Sequence, residues 1–111
     1  MNINDLVRES FGTAVAKGWH DEPRTFGDLI ALCHSELSEA LEEHRTGHDP
    51  DEVYFSAQSS GKPEGIPVEL ADCVIRIMDF AGKYKIDLQA VIEQKMAYNA
   101  TREHRHGGKK L

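Results

Sequence analysis

The stretch Pro67-Val-Glu-Leu-Ala-Asp-Cys-Val-Ile-Arg-Ile-Met-Asp-Phe-Ala-Gly-Lys83 carries apolar residues on nearly every side of a 3.6-residue period. Proline is tolerated in a helix's first turn, where its missing N–H has no partner to lose. Pro67 therefore marks a start, and a helix is predicted from Val68 to about Lys83. A helix that is apolar nearly all round must be covered by other elements, so this one belongs at the centre of the fold. Glu69 and Asp72 interrupt it, three residues apart and therefore on one edge.

Upstream, Leu6, Val7, Phe11, Ala14 and Val15 recur at spacings of three and four, which predicts a helix from Asn4 to Lys17, ended by Gly18. Thr25-Phe-Gly-Asp28 has the form of an N-cap followed three residues later by an acid. It opens a second helix whose stripe of Phe26, Leu29, Ile30, Cys33, Leu37, Ala40 and Leu41 ends near Gly47. Downstream of the central stretch, Asp87 caps a fourth helix from Leu88 to about His104. Residues 46–66 are dense in turn formers, and only Val53 to Ala57 suggest a brief ordered element. A loop of that length inside a compact domain is usually functional or mobile. No segment alternates with period two. The expectation is an all-α fold, a four-helix bundle, with residues 1–111 as one domain and residues 105–111 as a frayed or partner-dependent tail.

Composition narrows the function. The formal net charge of −6 argues against a binder of nucleic-acid polymers or of anionic membrane, whose affinities rest on clustered Lys and Arg. No apolar run approaches the ~20 residues needed to span a bilayer, and no basic-then-apolar leader opens the chain. Cys33 and Cys73 lie on core-facing sides of helices without any CxxC spacing, and read as reduced core residues of a soluble, cytoplasmic protein.

Two acidic pairs carry the chemistry: Glu36-Leu-Ser-Glu39 and Glu69-Leu-Ala-Asp72. Each sets two carboxylates one helical turn apart in otherwise apolar surroundings, where like charges need a cation between them. If the second and third helices pack antiparallel, the two edges face each other. Oxygen-only ligands then suit Mg²⁺, with Mn²⁺ able to substitute, better than Zn²⁺. Most helical acids are simply solvated, and that reading is taken for Glu42, Glu43 and Glu103. It is weaker for Asp72, flanked by Ala71, Cys73, Val74 and Ile75, and for Glu36, one turn from Cys33 and Ala40. Asp79, on the same face as Asp72, is either a further group of the site or the partner of Lys83.

Lys95, Asn99 and Arg102, spaced four and then three, form one polar stripe on the fourth helix. Five Lys or Arg fall between Lys95 and Lys110 against the single acid Glu103, a local reversal of sign suited to phosphate oxygens. A basic terminal turn complementing the helix dipole explains the same residues. Trp19, between Gly18 and Pro23, either stacks on a nucleobase or covers the end of the bundle. The histidines at 20, 34, 44, 48, 104 and 106 form no HExxH, and Glu103-x-x-His106 lacks the second copy that a di-iron bundle requires.

From about Gly18 to the C-terminus the chain resembles the MazG-type all-α nucleoside triphosphate pyrophosphohydrolases. The resemblance rests on Glu36-x-x-Glu39 followed by Glu69-x-x-Asp72, and on Gly-Lys-Pro-Glu-Gly-Ile-Pro-Val-Glu-Leu-Ala-Asp running into the third helix. It rests also on Lys95-Met-Ala-Tyr-Asn99-Ala-Thr-Arg102 with His106-Gly-Gly-Lys109 beyond. It implies Mg²⁺-dependent hydrolysis of (d)NTPs to the monophosphate and pyrophosphate, for removal of non-standard nucleotides or control of a dNTP pool. Glu36, Glu39, Glu69 and Asp72 would hold the metal, Glu36 or Glu39 would accept a proton from the attacking water, and Lys95, Asn99 and Arg102 would grip the nucleotide. Many relatives carry an acidic pair one turn before the first ExxE, where this chain has Leu32 and Cys33.

Apolar surface left on a lone bundle, including part of the central helix, points to a homodimer at least, and the resembled family forms homodimers or dimer-based tetramers. Two other readings stay open. One is a helical interaction module without activity, whose basic tail meets an acidic partner. The other is a dUTPase-like or nucleoside diphosphate-cleaving metal hydrolase on the same scaffold.

Overall fold

The computed structural model describes residues 1–58 and 61–102. It contains α1 (Ile3–Ala16), α2 (Phe26–Arg45), a two-stranded antiparallel hairpin of β1 (Tyr54–Phe55) and β2 (Pro63–Glu64), α3 (Ile66–Lys83) and α4 (Leu88–Ala100). The chain is therefore mostly helical, with one addition to the all-α expectation. Each strand has only two residues, too few to show a period of two in the sequence.

The helices begin where side chains satisfy their free N–H groups. Thr25 and Asp28 form the expected reciprocal capping box, and Asn2 with Asp5 forms a second one at α1. Asp87 Oδ1 accepts from the Ala90 N–H at α4. α3 starts at Ile66, two residues before the predicted Val68, and its cap Gly65 adopts φ 124°. A Cβ at Gly65 would lie 2.3 Å from the Glu52 carbonyl oxygen, so only glycine lets the segment leading into β1 come this close to the start of α3. α4 ends at Ala100, short of the predicted end at His104, which lies outside the described residues, as does the tail from 105 to 111.

α3 lies between α1 and α2. On one side Leu29 and Cys33 of α2 meet Cys73 and Phe80 of α3, with Ile77 against them. On the other, Val7 of α1 meets Met78 and Ala81, with Ile3 and Leu88 alongside. α3 is thus covered on two sides, by α2 and by α1, while its apolar residues Leu70, Val74 and Ile75 remain exposed. α2 and α3 run antiparallel: Phe26 at the start of α2 packs edge-on to Phe80 and Tyr84 at the end of α3, while Glu36 reaches back to Arg76. α1 crosses close to α3, where Gly82 faces Phe11.

α4 is held differently. Asn4 and Gln89 exchange backbone-to-side-chain hydrogen bonds (3.2 and 3.3 Å), and Asn4 Nδ2 donates to Asp87 Oδ1 (2.9 Å). Its main packing is against α1, and it has no buried residue. Within one chain, then, α1, α2 and α3 form the packed body and α4 is attached along an edge.

Candidate metal centre

The antiparallel packing of α2 on α3 brings the two acidic edges together. Carboxylate oxygens of Glu36, Glu69 and Asp72 all lie within 4.8 Å of one another. Glu36 is buried at 7% exposure, Glu69 and Asp72 are half-buried, and Glu39 is exposed at the rim beside Glu69. Of the four acids expected to hold a metal, three form the tight set. Glu39 stands next to it.

The electrostatics are those of a site short of positive charge. Burial, followed by the neighbouring Glu39 and Glu36 carboxylates, pushes Glu69 up to about 8. Asp72 is also raised, by burial and then by Glu36, against the lowering pull of Arg76. Glu69 Oε2 is enclosed and has no hydrogen-bond partner. An orphaned oxygen beside two further carboxylates suits a hard divalent cation, so the donor set fits Mg²⁺ or Mn²⁺.

Arg76, one turn beyond Asp72, was not singled out by its sequence context, yet its Nε donates to Glu36 Oε1 at 2.8 Å. Its guanidinium lies 5.4 Å from the centre of the Trp19 ring, and Arg24 approaches the same ring at 5.8 Å. Trp19 is half exposed and borders a groove of about 820 Å³, together with Glu36, Lys62, Asp72 and Arg76. Apolar residues of α1 and α3, among them Leu6, Ala14 and Ile75, complete its walls. The ring thus borders the same groove as Glu36 and Asp72, with two guanidinium groups close to it.

Several neighbours differ from expectation. Asp79 pairs with His20 Nε2 at 2.7 Å and not with Lys83, whose ammonium rests over Tyr84. His20 comes from 59 residues away along the chain and packs on Phe11, a contact that no local pattern announces. Glu43 is not simply solvated: both of its oxygens accept from the Tyr54 hydroxyl at 2.9 Å, and His48 lies 3.4 Å away, stacked on Tyr54. That bond holds the Tyr54 hydroxyl up to about 12 and ties the hairpin to the end of α2. Glu103 lies outside the described residues. Cys33 is core, and burial and the adjacent Cys73 push its thiol up; neither cysteine forms a disulfide.

The stripe on α4 does not reach this groove. Lys95 and Arg102 both rest over the Tyr98 ring, at 4.9 and 5.8 Å, and Asn99 is exposed. The groove takes its described lining from α1, α2, α3 and the connecting segments at Trp19 and Lys62. Among the described residues, no helix is long and apolar enough to cross a membrane. No protein-family model, curated protein or solved structure matches the chain.

Proposed function

We propose that this chain is a divalent-cation-dependent hydrolase that cleaves (d)NTPs to the monophosphate and pyrophosphate, as its resemblance to the MazG-type enzymes implies. The observation that carries this reading is the set of three carboxylates from two helices, with oxygens within 4.8 Å and the Glu69 Oε2 atom enclosed without a partner. Three clustered carboxylates, two of them lining the groove, serve no packing purpose, and leaving them together costs stability unless a cation is bound.

Glu36, Glu69 and Asp72 would hold the ion, with Glu39 beside them. A bound Mg²⁺ would supply neutralisation of the α-phosphoryl oxygens and lower the pKa of a water in its coordination sphere. Glu39, exposed and outside the tight set, would accept the proton of a water attacking the α-phosphorus. The bond from that phosphorus to the bridging oxygen then breaks and pyrophosphate leaves. Lys62 and Arg76 on the groove side offset the charge of the phosphate chain. Lys95, Asn99 and Arg102 serve a nucleotide from the α4 of a second copy, in a cytoplasmic homodimer or dimer-based homotetramer.

The test is a panel of (d)NTPs with Mg²⁺, read by pyrophosphate release. Turnover on at least one member, lost in Glu69→Gln and Asp72→Asn, supports the reading. Inorganic phosphate released from a diphosphate would favour the other phosphohydrolase chemistry, and a flat panel would favour the interaction module.

A further inference from the structure

Glu36 has two claims on it. It belongs to the three-carboxylate set, and its Oε1 already accepts from Arg76 Nε at 2.8 Å. A guanidinium carries one positive charge and does not give up its proton, so it offsets only part of the local negative charge. A divalent ion attracts the same carboxylate with twice the charge and prefers oxygen ligands at short range. Arg76 can yield only by moving. The Arg76 side chain is 26% exposed, borders the groove of about 820 Å³ with Lys62, and lies against Trp19.

We propose that Arg76 is a resident counter-ion that holds Glu36 in the metal-free protein, is displaced by the incoming divalent cation, and turns into the groove to grip the substrate's phosphate oxygens. The inference rests on the metal-dependent reading above. One side chain then couples loading of the ion to formation of the anion site, because the Nε–Oε1 bond that anchors the guanidinium at Glu36 is broken when the cation takes that carboxylate. Arg76 acts here as a binding residue for the phosphate chain and has no part in proton transfer.

The chain's single tryptophan is the reporter, since Trp19 lies 5.4 Å from the Arg76 guanidinium. Full-length protein is titrated with MgCl₂ alone at low ionic strength, following both Trp19 emission and melting temperature. In wild type the emission should change saturably, with the same midpoint as the rise in melting temperature. Arg76→Met should bind Mg²⁺ about fivefold more tightly by melting temperature, the upper end of the scale for solvent-accessible ion pairs, with no change in emission. Its KM for a triphosphate should rise about tenfold as the phosphate contact is lost. Weaker Mg²⁺ binding in Arg76→Met would show that Arg76 orients Glu36 for the metal and would overturn the inference. So would a wild-type melting rise without any emission change, a comparison that needs no variant to fold. If wild type shows no Mg²⁺-dependent change in melting at all, the metal-dependent reading falls and the inference with it.

Discussion

Two helical glycines should answer the same substitution with opposite signs. A Cβ at Gly82 would lie 2.6 Å from Phe11 Cβ and 2.9 Å from Phe11 Cγ, whereas a Cβ at Gly12 would meet nothing within 4 Å. Phe11 Cβ is fixed to the α1 backbone, so Gly82→Ala cannot be absorbed by a rotamer change and α1 must back away from α3. Such a contact belongs near the top of the overpacking range, about 3 kcal/mol. Alanine's better helix propensity returns about 1 kcal/mol, leaving a net loss of about 2 kcal/mol. For a domain of this size that lowers the melting temperature by about 10 °C. Gly12→Ala keeps only the propensity gain, about 1 kcal/mol or roughly 5 °C upward. Both are read by circular dichroism melting at one pH and salt concentration. A Gly82→Ala protein melting at or above wild type would refute the close crossing of α1 and α3. The same variant should also weaken the His20–Asp79 contact, because α1 leads directly into Trp19 and His20.

Other outcomes follow from the site and the caps. Glu69 titrates near 8 in the fold against an ordinary glutamate value of 4.5, so its contribution to stability is fully present below about 4.5 and is lost as the pH rises through about 8. Metal-free protein should therefore lose stability from this group between about pH 4.5 and about pH 8, and Glu69→Gln should flatten that slope in denaturant titrations. Saturating Mg²⁺ should raise the melting temperature of wild type and leave Asp72→Asn unmoved. Because Glu69 must shed its proton to bind the ion, apparent Mg²⁺ affinity should fall about tenfold per pH unit below about pH 7.5 in calorimetric titrations. Lys85 sits at φ 56° after α3, where the Ile86 N–H donates to the Ala81 carbonyl. Lys85→Gly should stabilise by about 1 kcal/mol in denaturant melts, since glycine adopts that conformation without the clash a Cβ brings.

The parts of the fold visible in the sequence were those set by local rules. The Thr25–Asp28 box, Pro67 in the first turn of α3 and Asp87 before α4 each act within four residues, and the three- and four-residue spacing of apolar residues announces α2 and α3 as helices, although Leu37 and Leu41 of the α2 stripe and Val74 and Ile75 of α3 are exposed. The paired acids were visible for the same reason, because residues three apart must share an edge. What escaped depended on distance along the chain or on direction in space. Arg76 is a single basic residue in an apolar run, and only the antiparallel register of α2 and α3 aims it at Glu36, 40 residues away. Tyr54 and Glu43 meet because the hairpin folds back on α2, which turn-forming composition alone does not specify. Lys95, Asn99 and Arg102 do share a face, as their spacing requires, but spacing does not say which way that face points.

The attachment of α4 bears on how such a protein changes over time. Its hold on the body is a few polar exchanges around Asn4 together with Leu88, and no α4 residue is buried. Substitutions along α4 therefore cost the folded body little, while the acids of α2 and α3 are locked to helices that share a core. Amide exchange should find α4 opening independently of α3, whose protons wait for global unfolding. A chain arranged this way can revise the exposed surface of α4 without disturbing the carboxylate cluster between α2 and α3.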